Sequence, residues 1–199
     1  SEGIVVLQDE PRDFAYGHVP LYLGVLATRL IERLGPALVP WLPSHWSLTA
    51  DGLNGAGRIE FHLLAAVGRA LTALVDVGTV WLTFALGRRL YGTAVGLLAA
   101  AFLALTVLHI QLAHFFTSDP YLTFFTVAAL YGLALAHGET TVTRRRVCLL
   151  LAGAASGLAV GSKFTAVLLI VPLVWAAWAG RTRRWWAEGL AAVGVAALV

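Results

Sequence analysis

Several ordinary ingredients of a soluble protein are scarce or missing in this chain. Methionine is absent, initiator included, and cysteine occurs once, at Cys148. A lone thiol excludes an internal disulfide and any Cys-based metal cluster, so Cys148 reads as a small buried hydrophobe. The missing initiator and a last residue, Val199, inside an apolar run read as a fragment cut at both ends. Lysine also occurs once, at Lys163, against 13 arginines. Charge is sparse: 13% of residues carry it, where a soluble domain has about 25%. There is no internal repeat.

Apolar residues are abundant. They make up 59% of the chain, and a mean hydropathy of +0.79 fits lipid as the solvent. The net charge of +3 and pI near 9.4 do not imply nucleic acid. The basic residues sit in short clusters between apolar segments, the pattern of cytoplasmic loops in membrane proteins. A span needs roughly 20 apolar residues, and the stretches 63–87, 93–115, 120–137, 147–162, 164–180 and 187–199 are the candidates, the last one truncated. The fourth, rich in Gly and Ala, reads as one arm of a tight hairpin bent at Ser162-Lys163. The expected fold is all-α, a polytopic transmembrane helix bundle over residues 61–199, preceded by an extracytoplasmic first loop over 1–60.

Charge gives the topology. Arg88-Arg89, Arg144-Arg145-Arg146 and the Arg181, Arg183, Arg184 cluster fall on one side if the spans alternate, and the positive-inside rule makes that side cytoplasmic. The other side then collects Glu2, Asp9, Glu10, Asp13, Glu32, Asp51, Glu60 and Asp119. Within the first loop, Leu23, Leu26, Ala27, Leu30, Ile31 and Leu34 recur at helical spacing, with Arg29, Glu32 and Arg33 opposite. This predicts an amphipathic interfacial helix stopped at Gly35-Pro36. Pro36, Pro40, Pro43 and the Trp41/Trp46 pair then mark an irregular segment at headgroup depth.

Charged groups inside a span cost about 2.5–3.5 kcal/mol on insertion scales and usually face a cavity or a partner. Arg69 and Asp76 are two helical turns apart, roughly 10 Å along the axis. Arg69 is equally an interfacial snorkelling residue and a phosphate ligand. Asp76 suits a hydrogen bond to a neighbouring helix, and His109 a core polar role. Ser118 and Asp119 precede Pro120 and suit an N-cap, which is compatible with Asp119 facing the same cavity as Asp9. Gly153, Gly157 and Gly161 repeat every fourth residue and predict close helix packing. Lys163 is either an interfacial anchor or a partner for an anionic head. In the first loop, Asp9, Glu10, Arg12 and Asp13 crowd four ionisable groups into five residues. Adjacent carboxylates suit proton abstraction or metal binding; a solvated loop can have the same composition.

The order of these motifs resembles the GT-C superfamily of membrane glycosyltransferases, in its protein O-mannosyltransferase and aminoarabinose-transferase-like branch. The likeness rests on Asp9-Glu10, on Tyr16-Gly17-His18-Val19-Pro20-Leu21-Tyr22-Leu23, and on Val67-Gly68-Arg69-Ala70-Leu71. It continues through Leu86-Gly87-Arg88-Arg89-Leu90-Tyr91-Gly92, the His114 to Asp119 stretch, and Gly157-Leu158-Ala159-Val160-Gly161-Ser162-Lys163. The resemblance implies a polyprenyl-phosphate sugar donor, a protein or lipid acceptor, contact with membrane lipids, and an active site facing away from the cytoplasm of an inner or plasma membrane. It implies Asp9 as general base and Glu10 as its assistant in an inverting displacement. Arg12, Arg69 and Lys163 become donor-phosphate ligands, and Asp119, His114, Tyr16 and His18 supporting groups. Metal dependence differs among relatives; Asp9 and Asp119 are the residues that would hold a divalent ion. Two other readings compete: a transporter or flippase with Asp76, Arg69 and His114 as its polar pathway, and a non-catalytic assembly subunit using the glycine run as its interface.

Overall fold

The computed structural model of the chain describes residues 17–38, 61–179 and 185–198. Those residues form helices and no sheet. Helix α1 (Val19–Leu38) leads to α2 (Phe61–Tyr91), α3 (Thr93–Ala104), α4 (Val107–Ala113), α5 (Ser118–His137) and α6 (Val142–Ser162). A 3-10 turn over Phe164–Leu169 follows, then α7 (Ile170–Ala179) and α8 (Trp185–Leu198).

Side-chain size is sorted as a membrane demands. Large apolar groups point outward: Leu74, Trp81, Phe102 and Trp175 are each at least 60% exposed. Small ones face inward, with Ala129, Ala159, Ala177 and Ala192 fully buried. Lipid tails are as apolar as leucine, so helices associate by close backbone approach over small residues. Two helices, Ala65–Tyr91 and Ser118–His137, are long and apolar enough to cross a bilayer, and α3 with α4 form a third such unit bent by 63°. The 93–115 stretch is thus two helices, parted at Leu105-Thr106. By length and composition these helices suit a bilayer, and the fold is all-α.

Hydroxyls inside these helices are satisfied locally. Thr72, Thr79, Thr83, Ser156 and Ser162 each donate to the carbonyl one turn back, at 2.8–2.9 Å, which suits a medium that offers no water. At the α2–α3 turn, Gly92 takes φ +94, a left-handed conformation that glycine adopts without steric cost. The two helices then touch where Gly87 meets Gly96.

The glycine run of α6 is used inside the molecule. Gly153 lies against the Ala192 backbone of α8 and Gly157 against that of Ala196. Gly161 faces the start of α1, where Val19 covers it. On α1 the protein-facing residues are Pro20, Gly24 and Thr28, leaving Leu21, Leu26 and Leu30 exposed together with Arg29 and Arg33. The expected stop at Gly35-Pro36 is corrected: α1 runs on to Leu38. A proline this close to a helix end forfeits few backbone bonds.

Two ends of the bundle carry different chemistry. One gathers Gly17, the start of α5 and the residues after α6. At the other, the Arg89 guanidinium lies against Gly138, where α5 ends. There Arg145 of α6, 5% exposed, forms an ion pair with Glu188, 7% exposed, in the first turn of α8. Arg145 Nη2 also donates to the carbonyls of Ala176 and Ala177, at 2.9 and 3.1 Å. These belong to the last turn of α7, whose carbonyls have no partner within the helix. One guanidinium therefore caps α7 and ties it to α6 and α8. Arg146 Nε adds a bond to the same carboxylate at 3.2 Å.

Candidate functional site

The polar centre of the first end is an ion pair. Lys163 Nζ stands 2.8 Å from Asp119 Oδ1, with both side chains partly exposed. Local structure explains each position. Helix α6 ends at Ser162 and Lys163 is extended (φ −159, ψ 126), so its side chain leaves the α6 axis towards α5. On α5 the N-cap position is Thr117, without a side-chain capping bond, and Asp119 sits in the first turn. The expected capping role of Ser118 or Asp119 is therefore corrected: the Asp119 carboxylate goes to Lys163. An acid in the first turn of a helix also gains from the helix dipole.

A buried key holds the start of α5 on α2. Tyr121 is fully buried; its hydroxyl is 3.3 Å from Thr72 Oγ1. Thr72 donates its own proton to the Gly68 carbonyl, so its oxygen accepts from Tyr121. The Phe116 ring packs on Gly68, where a Cβ would come within 2.6 Å of it, and meets Tyr121 edge-on at 6.3 Å between centroids. Phe124 covers Gly78 one layer deeper in the same way. Sequence reading missed Thr72 and Tyr121; the available signals were a glycine one turn before a threonine and an aromatic two residues after Asp119.

The start of α1 lies beside this pair. The Gly17 amide donates to the Ser162 carbonyl at 3.1 Å, next to Lys163. His18 is exposed and lies 6.2 Å from the Tyr22 ring. Asp9, Glu10, Arg12 and Tyr16 lie outside the described residues. Arg69 is exposed on α2, next to Gly68, and makes no ion pair among the described residues. His114 is turned to its own helix: Nδ1 donates to the Ile110 carbonyl at 2.7 Å. No group of three or more His, Cys, Asp or Glu gathers as a metal site among the described residues.

Asp76 finds its partner on α4. Its Oδ1 is 2.7 Å from His109 Nε2, with side chains 17% and 11% exposed. Neither atom makes an aligned hydrogen bond among the described residues. The contact fastens the broken α3–α4 unit to α2.

No curated protein and no solved structure matches the chain. A family model described as dolichyl-phosphate-mannose-protein mannosyltransferase matches residues 61–199. That span contains Arg69, His114, Asp119 and Lys163, and the first-loop acids precede it. With its helices built for lipid and this match over most of its length, the chain belongs to the dolichyl-phosphate-mannose-protein mannosyltransferase family of membrane glycosyltransferases.

Proposed function

We propose that the Gly17, Asp119 and Lys163 end of the bundle is the sugar-transfer site, facing away from the cytoplasm. The donor is a polyprenyl-phosphate sugar, and the acceptor is a hydroxyl of a protein, as the family's description suggests, or of a lipid. The observation that carries this is the Lys163–Asp119 pair lying beside the start of α1. From Asp9 to Gly17 is eight residues, which can span at most about 26–29 Å, so the acidic pair can reach the ion pair. The opposite end carries Arg89, Arg145 and Arg146, which the positive-inside rule assigns to the cytoplasm.

In the transfer, Asp9 takes the proton of the acceptor hydroxyl and Glu10 orients that group. The acceptor oxygen bonds to the anomeric carbon as the carbon–oxygen bond to phosphate breaks, inverting the centre. Polyprenyl phosphate leaves with the bonding pair. Lys163, Arg69 and Arg12 stabilise its growing charge, the kind of preorganised electrostatic help that lowers such barriers most. Asp119 keeps Lys163 aimed.

Lys163→Ala removes a charge-assisted contact to phosphate, worth about 1.5–3 kcal/mol. Steady-state turnover by the membrane-inserted protein is expected to show donor KM raised at least about tenfold. An unchanged donor KM would take Lys163 out of the phosphate site.

A further inference from the structure

The run that ends α6 does more than pack helices. Gly17 and Gly161 meet backbone to backbone: a Cβ on Gly17 would run into the Gly161 carbonyl oxygen. The Gly17 amide bonds the next carbonyl, that of Ser162. On the other side, a Cβ on Gly161 would lie 2.6 Å from Val19 Cγ2, with Val19 Cβ already at an ordinary 3.7 Å. The contact is thus asymmetric. Gly17 faces immovable backbone, whereas Gly161 faces one removable methyl. Two residues later, just past the end of α6, Lys163 is bonded to Asp119. Residues 17–19, 119 and 161–163 therefore form one three-segment junction, and its closest approach has no room for a side chain on either glycine.

We propose that Gly17 and Gly161 form a backbone clasp that fixes the start of α1 beside the Asp119–Lys163 pair, making them positioning residues for the transfer. This rests on the site assignment above and adds a requirement to it: the start of α1 is held at the site by two glycines. Breaking the clasp moves Gly17 and His18 and leaves the ion pair in place. The expected signature is a split in the kinetics. Gly17→Ala lowers kcat about 10²-fold, the scale of an ångström-level misplacement, while donor KM stays within about twofold, a free-energy change of only about 0.4 kcal/mol.

The test uses the whole membrane-inserted protein with its native cysteines, Cys148 among them, replaced by Ala, and carrying His18→Cys and Phe164→Cys. Both positions are exposed and flank the clasp. A short bis-maleimide is expected to join them when Gly17 is present and to fail in Gly17→Ala. In parallel, Gly161→Ala is expected to lower kcat, and adding Val19→Ala, which removes the clashing methyl, to restore it. The pair with Val19→Ala keeps the test available if Gly17→Ala does not fold. Persistent cross-linking in Gly17→Ala would overturn the clasp. Lost cross-linking with kcat unchanged would overturn its positioning role. Both outcomes are separate from the identity of the base, because the cross-link does not depend on chemistry.

Discussion

Glu188→Ala is expected to be the most destabilising single change at the Arg145 end of the bundle, costing about 3–5 kcal/mol. The reason is the charge left behind. Arg145 is almost fully buried and cannot lose its proton, so removing Glu188 strands a guanidinium among α6, α7 and α8. Its two bonds to the Ala176 and Ala177 carbonyls remain, but they are neutral acceptors. Arg146 also loses its carboxylate, a smaller effect because its side chain is 52% exposed. Replacing both members of the buried pair, as Arg145→Met with Glu188→Leu, is expected to recover most of the loss, since a buried ion pair is often replaceable by well-packed apolar groups. Thermal unfolding of the detergent-solubilised protein reads both variants. If the double variant is no more stable than Glu188→Ala, the desolvated-charge explanation is wrong.

The second large effect concerns chemistry. Asp9→Asn keeps the shape and removes the proposed proton acceptor. A positioned general base contributes about 10²–10⁴-fold to a rate, and kcat is expected to fall by that amount. Glu10, the neighbouring carboxylate, is assigned to orienting the acceptor and not to taking its proton. Membrane insertion is expected to be unchanged, since Asp9 precedes the helices. Retained turnover in Asp9→Asn would remove Asp9 as the base.

Much of the fold is legible in the residues because lipid imposes a simple rule. Long apolar stretches separated by arginine clusters give α2 and α5 with close boundaries. The break at Leu105-Thr106 has no such marker: neither Gly nor Pro lies between Gly96 and Phe115, and the packing of α4 against α2 through His109 and Asp76 goes with it. Arg145 misleads for a physical reason. Three consecutive arginines read as a loop, yet α6 starts at Val142 and takes all three into its first turns. The partner that accounts for Arg145 is 43 residues away. Asp119 and Lys163 could each be named as candidates from the motifs around them. Their union, across 44 residues, depends on how α5 packs on α6 and on the buried Thr72–Tyr121 contact. The glycine run announces close packing, but not that its first two members serve α8 and its third serves α1.

The central claim is that this membrane end transfers sugar from a lipid phosphate. The most direct measurement places the purified whole protein in liposomes with a polyprenyl-phosphate sugar and an acceptor peptide. One polyprenyl phosphate is expected to be released per acceptor glycosylated, with no accompanying solute flux. Solute flux without consumption of the lipid-linked sugar would contradict that claim.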